Sequence, residues 1–93
     1  MAELLREERI NDFLSDHQSW ARDGDSIVAT YEFDDFNEAL GFVTGVGLKA
    51  ERMFHHPDID IRWNKVTLNL STHSEGGLTE MDTELAGFCD DVA

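Results

Sequence analysis

The sequence predicts an α+β fold: a four-stranded antiparallel sheet with three helices packed on one face, in the order α-β-β-α-β-β-α. Two observations carry this. Two pairs of alternating apolar and polar runs, each joined by a short turn, read as hairpins. Three segments with apolar residues at steps of three and four precede, separate and follow them. Ninety-three residues, 41% of them hydrophobic, suit a single domain spanning 1–93 with one core.

The elements follow in order. Ile10, Phe13, Leu14 and His17 have helical spacing, and Glu7 and Glu8 suit the first turn of a helix beginning near Arg6. Trp20 comes next, and Asp23-Gly24 is a turn signal. In 26–33, Ile27, Ala29, Tyr31 and Phe33 share one strand face. Asp35 and Glu38 form a capping-box pattern that opens a helix running to about His55. Phe36, Ala39, Leu40, Val43, Val46, Gly47, Ala50 and Phe54 mark its apolar stripe. Gly41, Gly45 and Gly47 lower its helicity and would let it lie close to a sheet. Pro57 ends it. Ile59, Ile61 and Trp63 alternate, then Val66, Leu68 and Leu70, with Asn64-Lys65 as the connecting turn. After Gly76-Gly77, Thr79 and Asp82 cap a last helix carrying Met81, Leu85, Phe88 and Val92.

Composition narrows the function. Twenty acidic residues against seven basic ones give a net charge of −13, which repels nucleic-acid phosphates. Such a surface suits solubility or a salt-rich habitat. The single Cys89 excludes an internal disulfide and a Cys-based zinc site. No apolar run approaches the roughly 20 residues of a membrane span, and charges at Glu3, Arg6, Glu7, Glu8 and Arg9 interrupt any signal peptide. A cytoplasmic protein is expected.

The residues that could do chemistry cluster at the end of the long helix. Glu51 and His55 are four apart, so the carboxylate would fix the imidazole's tautomer. His56 points elsewhere, and His73 follows the last strand. Strand alternation would turn His73 away from the helices, so regular pairing should end near Ser71 for it to join the pair. Plainer roles exist. His55 and His56 could cap helix carbonyls, Asp82 could only cap its helix, and Trp63 could be a core anchor. Glu51, His55, His56 and His73 could also hold a divalent metal, although tight sites show stronger ligand spacing. His17 has no evident companion and is expected at the surface.

Glu51 with His55-His56-Pro57, then Trp63, His73 and Asp82, resembles the signature of the pterin-4a-carbinolamine dehydratases. Trp20, Phe33-Asp34-Asp35-Phe36, Ala39-Leu40-Gly41-Phe42, Trp63-Asn64-Lys65-Val66, Thr72-His73 and Gly77-Leu78-Thr79 extend the likeness over most of the chain. The resemblance implies dehydration of 4a-hydroxytetrahydropterin to quinonoid dihydropterin in pterin recycling. It also implies a homodimer or homotetramer, and neither cofactor nor metal. By carry-over, His55, His56 and His73 line the pterin site, with Glu51 orienting His55 and with Asp82, Trp63 and Pro57 in support. His55 and His73 are expected to share the acid and base roles, and His56 to orient the pterin. The alternative implied is a non-catalytic pterin-binding or protein-interaction module of the same fold.

Overall fold

The computed structural model describes residues 3–93. The element order is α1 (Glu7–Asp16), β1 (Trp20–Asp23), β2 (Ser26–Glu32), α2 (Phe36–Met53), β3 (Asp58–Arg62), β4 (Lys65–Leu70), a 3-10 turn (His73–Glu75) and α3 (Glu80–Val92). All strand pairs are antiparallel, in the order β1-β2-β4-β3. The α+β architecture is the one expected.

Alternation explains the layering. Ile27, Ala29 and Tyr31 of β2 register with Leu70, Leu68 and Val66 of β4. These residues, all but Tyr31 fully buried, form the covered face of the sheet. Ile10 and Phe13 of α1, Ala39, Phe42, Val46 and Ala50 of α2, and Leu85, Ala86 and Cys89 of α3 complete the core. On the opposite face Thr30 and Thr67 are cross-strand partners joined by a 2.9 Å hydroxyl hydrogen bond. That polar face is open to water, as an antiparallel sheet allows.

Helix ends are fixed by side chains. Asp35 Oδ1 accepts the Glu38 N–H at 2.8 Å, and Glu38 reaches back to the Asp34 N–H at 3.0 Å. The box is therefore displaced by one residue from its usual partner. Thr79 and Asp82 form a full capping box on α3. Arg6 opens α1 without a side-chain cap.

Four details differ from the sequence reading. First, α2 stops at Met53, and Phe54 enters the left-handed region (φ 52°, ψ 41°). The Phe54 N–H bonds Glu51 O and the His55 N–H bonds Ala50 O, both at 3.1 Å, a Schellman-type ending. That ending favours glycine, and another residue there costs roughly 1–2 kcal/mol. Second, Gly41, Gly45 and Gly47 do not face the sheet: a Cβ at each would meet open space, and Phe42 is the buried aromatic instead. Third, the β3–β4 turn is Trp63-Asn64, because Arg62 pairs with Lys65. Asn64 is pinned there, buried. Its carbonyl accepts the Phe33 N–H and its side-chain amide donates to Phe33 O, both at 2.8 Å. Trp63 takes the positive φ of 49° and is no core anchor, being 69% exposed. Fourth, His17 is half-buried, stacked on Phe13 with centroids 4.0 Å apart and Nδ1 donating to Phe13 O at 3.0 Å.

The segment after β4 is shaped by close approach. Thr72 bridges Gly77, and Leu4 Cδ2 would lie 3.0 Å from a Cβ on Gly77. The Leu5 N–H donates to Leu78 O at 2.8 Å. The segment before α1 thus holds the loop that leads from His73 to α3.

Candidate functional site

Hairpin register gathers the chemistry at one end of the sheet. Asp58 pairs with Asn69, so the chain just before β3 and the chain just after β4 emerge side by side. These are the His55-His56-Pro57 and Ser71-Thr72-His73 segments. Regular pairing stops at Leu70, and His73 opens the 3-10 turn, exposed. This is the early ending expected of a strand that frees His73.

His55 is 7% exposed, and its Nε2 lies 2.5 Å from Oδ1 of the fully buried Asp82. The other Asp82 oxygen accepts the Thr79 N–H at 2.9 Å and the Thr72 hydroxyl at 2.8 Å. The Thr79 hydroxyl lies 2.8 Å from the Thr72 hydroxyl and takes the Met81 N–H at 3.3 Å. Only one arrangement of hydrogens satisfies the chain with Asp82 as acceptor throughout. Met81 donates to Thr79, Thr79 to Thr72, Thr72 to Asp82, and His55 Nε2–H to Asp82. Neutral His55 is then protonated on Nε2 and carries a free lone pair on Nδ1. Among the described residues the one fully buried, unpartnered side-chain polar atom is Trp20 Nε1, so the Nδ1 of the largely buried His55 keeps a small opening to solvent.

Glu51 does not orient His55. Its Oε1 lies 2.8 Å from His56 Nε2, with both side chains largely in water. The physical reason is the early end of α2: His55 lies beyond the last helical residue, so the four-residue helical spacing no longer applies. Neither imidazole caps a helix carbonyl; each is held by a carboxylate. His73 directly follows Thr72, which shares Asp82 with His55. Pro57 is half-buried at the same end.

Trp63 lies elsewhere. It occupies the opposite tip of the β3–β4 hairpin, six residues and about 20 Å from Pro57 at ~3.3 Å per strand residue. Within one chain it does not flank the imidazoles. Thr72 and Thr79 fix the Asp82 carboxylate, whereas the sequence shows Thr79 only as a helix cap and Thr72 only as part of a Thr-His pair. The signal available was the Thr-His and Leu-Thr pairs on either side of a Gly-Gly turn.

A cleft of about 590 Å³ between α1 and α3 contains none of the three histidines. Its cations are already paired, Arg9 with Glu80 at 3.4 Å and Lys49 with Glu84 at 3.3 Å. Its imidazole, His17, is stacked and bonded to its own helix. Chemistry therefore points to the polar end of the hairpin. Among the described residues no three His, Cys, Asp or Glu side chains are grouped to hold a metal, and no helix is long and apolar enough to cross a membrane.

Residues 3–92 match the family model described as pterin 4 alpha carbinolamine dehydratase. A protein of Roseiflexus castenholzii, provisionally named as that dehydratase, is 48% identical over 99% of both chains. One from Nocardia farcinica, named likewise, is 50% identical over 98% of this chain and 96% of its own. The crystal structure of a Brucella melitensis protein described as a transcriptional coactivator/pterin dehydratase superposes with a TM-score of 0.94 at 33% identity. It covers 98% of this chain and 99% of that one. A pterin dehydratase-like protein described as a RuBisCO assembly factor shares the fold alone, at 17% identity and a TM-score of 0.65 over 80% of this chain and 86% of its own.

Proposed function

The chain belongs to the pterin 4 alpha carbinolamine dehydratase family, and we propose that it dehydrates 4a-hydroxytetrahydropterin to quinonoid dihydropterin. The observation that carries this reading is the buried Asp82, which sets the His55 tautomer and leaves Nδ1 free to act as a base. The reaction moves two protons and no net electrons. Nδ1 of His55 takes the proton from N5, and the N5 electron pair forms the C4a=N5 bond. A second imidazole, that of His73, protonates the C4a hydroxyl, which leaves as water. His56, steadied by Glu51, orients the pterin. No cofactor or metal enters. The reading includes a homodimer or homotetramer and a cytoplasmic location.

Loss of the 4a-hydroxypterin absorbance tests it. His55→Ala is expected to lower the enzymatic rate about 10²–10⁴-fold, the usual worth of one general acid or base. His73→Ala should fall in the same range. Asp82→Asn can donate to His55 and hold it in the other tautomer, so it should lose rate while still binding pterin. Wild type and His55→Ala accelerating the reaction equally would overturn the proposal. That result would instead favour a non-catalytic interaction module. The specific observation behind this second reading is the exposed Leu40 and Leu48 on the outer side of α2, a surface suited to a protein partner.

A further inference from the structure

Phe54 is left unexplained by the fold and by the acid–base scheme. Among the described residues four have positive φ: Gly24, Gly76, Phe54 and Trp63. Glycine is the natural occupant of such positions. Phe54 sits there 83% exposed, the most exposed large hydrophobic residue among those described. The helix ending needs the left-handed backbone but not the ring, since its hydrogen bonds run from the Phe54 and His55 N–H groups. The folded monomer gains almost no burial from this side chain. Strain held at one residue without packing in return points to function.

Its neighbours indicate which function. Phe54 directly precedes His55, whose ring is anchored on Asp82 at 2.5 Å. Two residues on, the His56 ring is held by Glu51 at 2.8 Å. Consecutive Cα atoms are about 3.8 Å apart, so a phenyl ring reaches across either imidazole's surroundings. The pinned groups beside it are polar imidazoles, each with one nitrogen held by a carboxylate. None of them offers a flat apolar face. A fused bicyclic heterocycle needs both: polar contacts at its edge and a π surface against its plane.

We propose that Phe54 is a substrate-binding residue whose ring stacks on the flat pyrimidine half of the pterin and fixes its plane against His55. This rests on the pterin reading above and adds the wall that the histidines do not supply. It also explains why a strained aromatic stands where glycine or asparagine would fold more easily.

The experiment compares wild type with Phe54→Gly, Phe54→Asn and Phe54→Tyr. Three quantities are measured: thermal midpoint, steady-state dehydration, and quenching of an oxidised pterin's fluorescence on binding. Gly and Asn relieve the backbone strain, so their midpoints should equal or exceed the wild type's. Their KM and pterin Kd should nevertheless rise at least about fivefold, the lower end for loss of one heterocycle–aromatic stack. Their kcat should change less, and Tyr should restore wild-type binding. Unchanged KM and Kd in Gly and Asn overturn the inference while leaving the dehydratase reading intact. A change in oligomeric state with unchanged KM also overturns it, and assigns the ring to a subunit contact. Wild type that binds pterin without turnover ends the dehydratase reading alone, and the Kd comparison still decides for Phe54. Wild type that neither binds nor turns over pterin overturns both.

Discussion

Asp82 accepts from three donors and shows no face to water: His55 Nε2, the Thr72 hydroxyl and the Thr79 N–H converge on its two oxygens. Removing it strands all three inside the protein. Asp82→Ala is expected to destabilise the fold by about 3 kcal/mol or more, measured by urea unfolding. A destabilisation under 1 kcal/mol would show that water replaces the carboxylate. The capping half of Asp82's role was legible, because Thr-x-x-Asp before an apolar helix is a local signal. Its bond to His55 spans 27 residues and was not. The same limit misassigned Glu51. Spacing alone paired it with His55, but the left-handed Phe54 swings the chain so that Glu51 meets His56.

At the scale of elements, α3 is clasped at both ends. The capping box joins its start to the loop after β4, and Tyr31 of β2 donates to Asp90 near its end at 2.5 Å. Burial pushes the Tyr31 hydroxyl well up, and the Asp90 hydrogen bond adds to it. Burial likewise pushes the Cys89 thiol up to about 12, with the Asp90 charge second. Both groups hold their protons more tightly folded than unfolded. Their contribution is therefore fully present below their ordinary values of 10.0 and 9.0, and is lost as pH rises. For Cys89 the loss runs from 9.0 toward about 12. The thermal midpoint is expected to fall above about pH 9, and Tyr31→Phe to flatten the upper part of that fall. A midpoint level from pH 8 to 11 would contradict this. The elements themselves were readable, since apolar periodicity and two capping patterns locate them. Which face of α2 is buried was less so. Phe42 and the three glycines differ in their surroundings, and one sequence does not show that the glycines look outward.

Over the whole molecule, charge dominates. Arg and Lys side chains pair with only four of the twenty carboxylates, at Glu7, Asp60, Glu80 and Glu84. The remaining field is self-repulsive, and screening shortens its reach from about 10 Å at 0.1 M salt to about 3 Å at 1 M. The thermal midpoint is expected to climb with sodium chloride across that range, and a flat or falling profile would dismiss the charge as a liability. This property was fully legible, because net charge needs no coordinates. The length of the hairpin was legible too, yet its meaning for Trp63 was not: only strand register shows that five paired residues separate the turn from the histidines. One consequence concerns the order in which the protein fails. The side chain that closes the first turn of α3 is also the one that grips the His55 ring, so fraying of that turn releases the imidazole. Thr79 and Asp82 are fully buried there, so opening that turn costs nearly as much as complete unravelling. On warming, the imidazole's anchor and the native spectrum would thus be lost together, at one temperature.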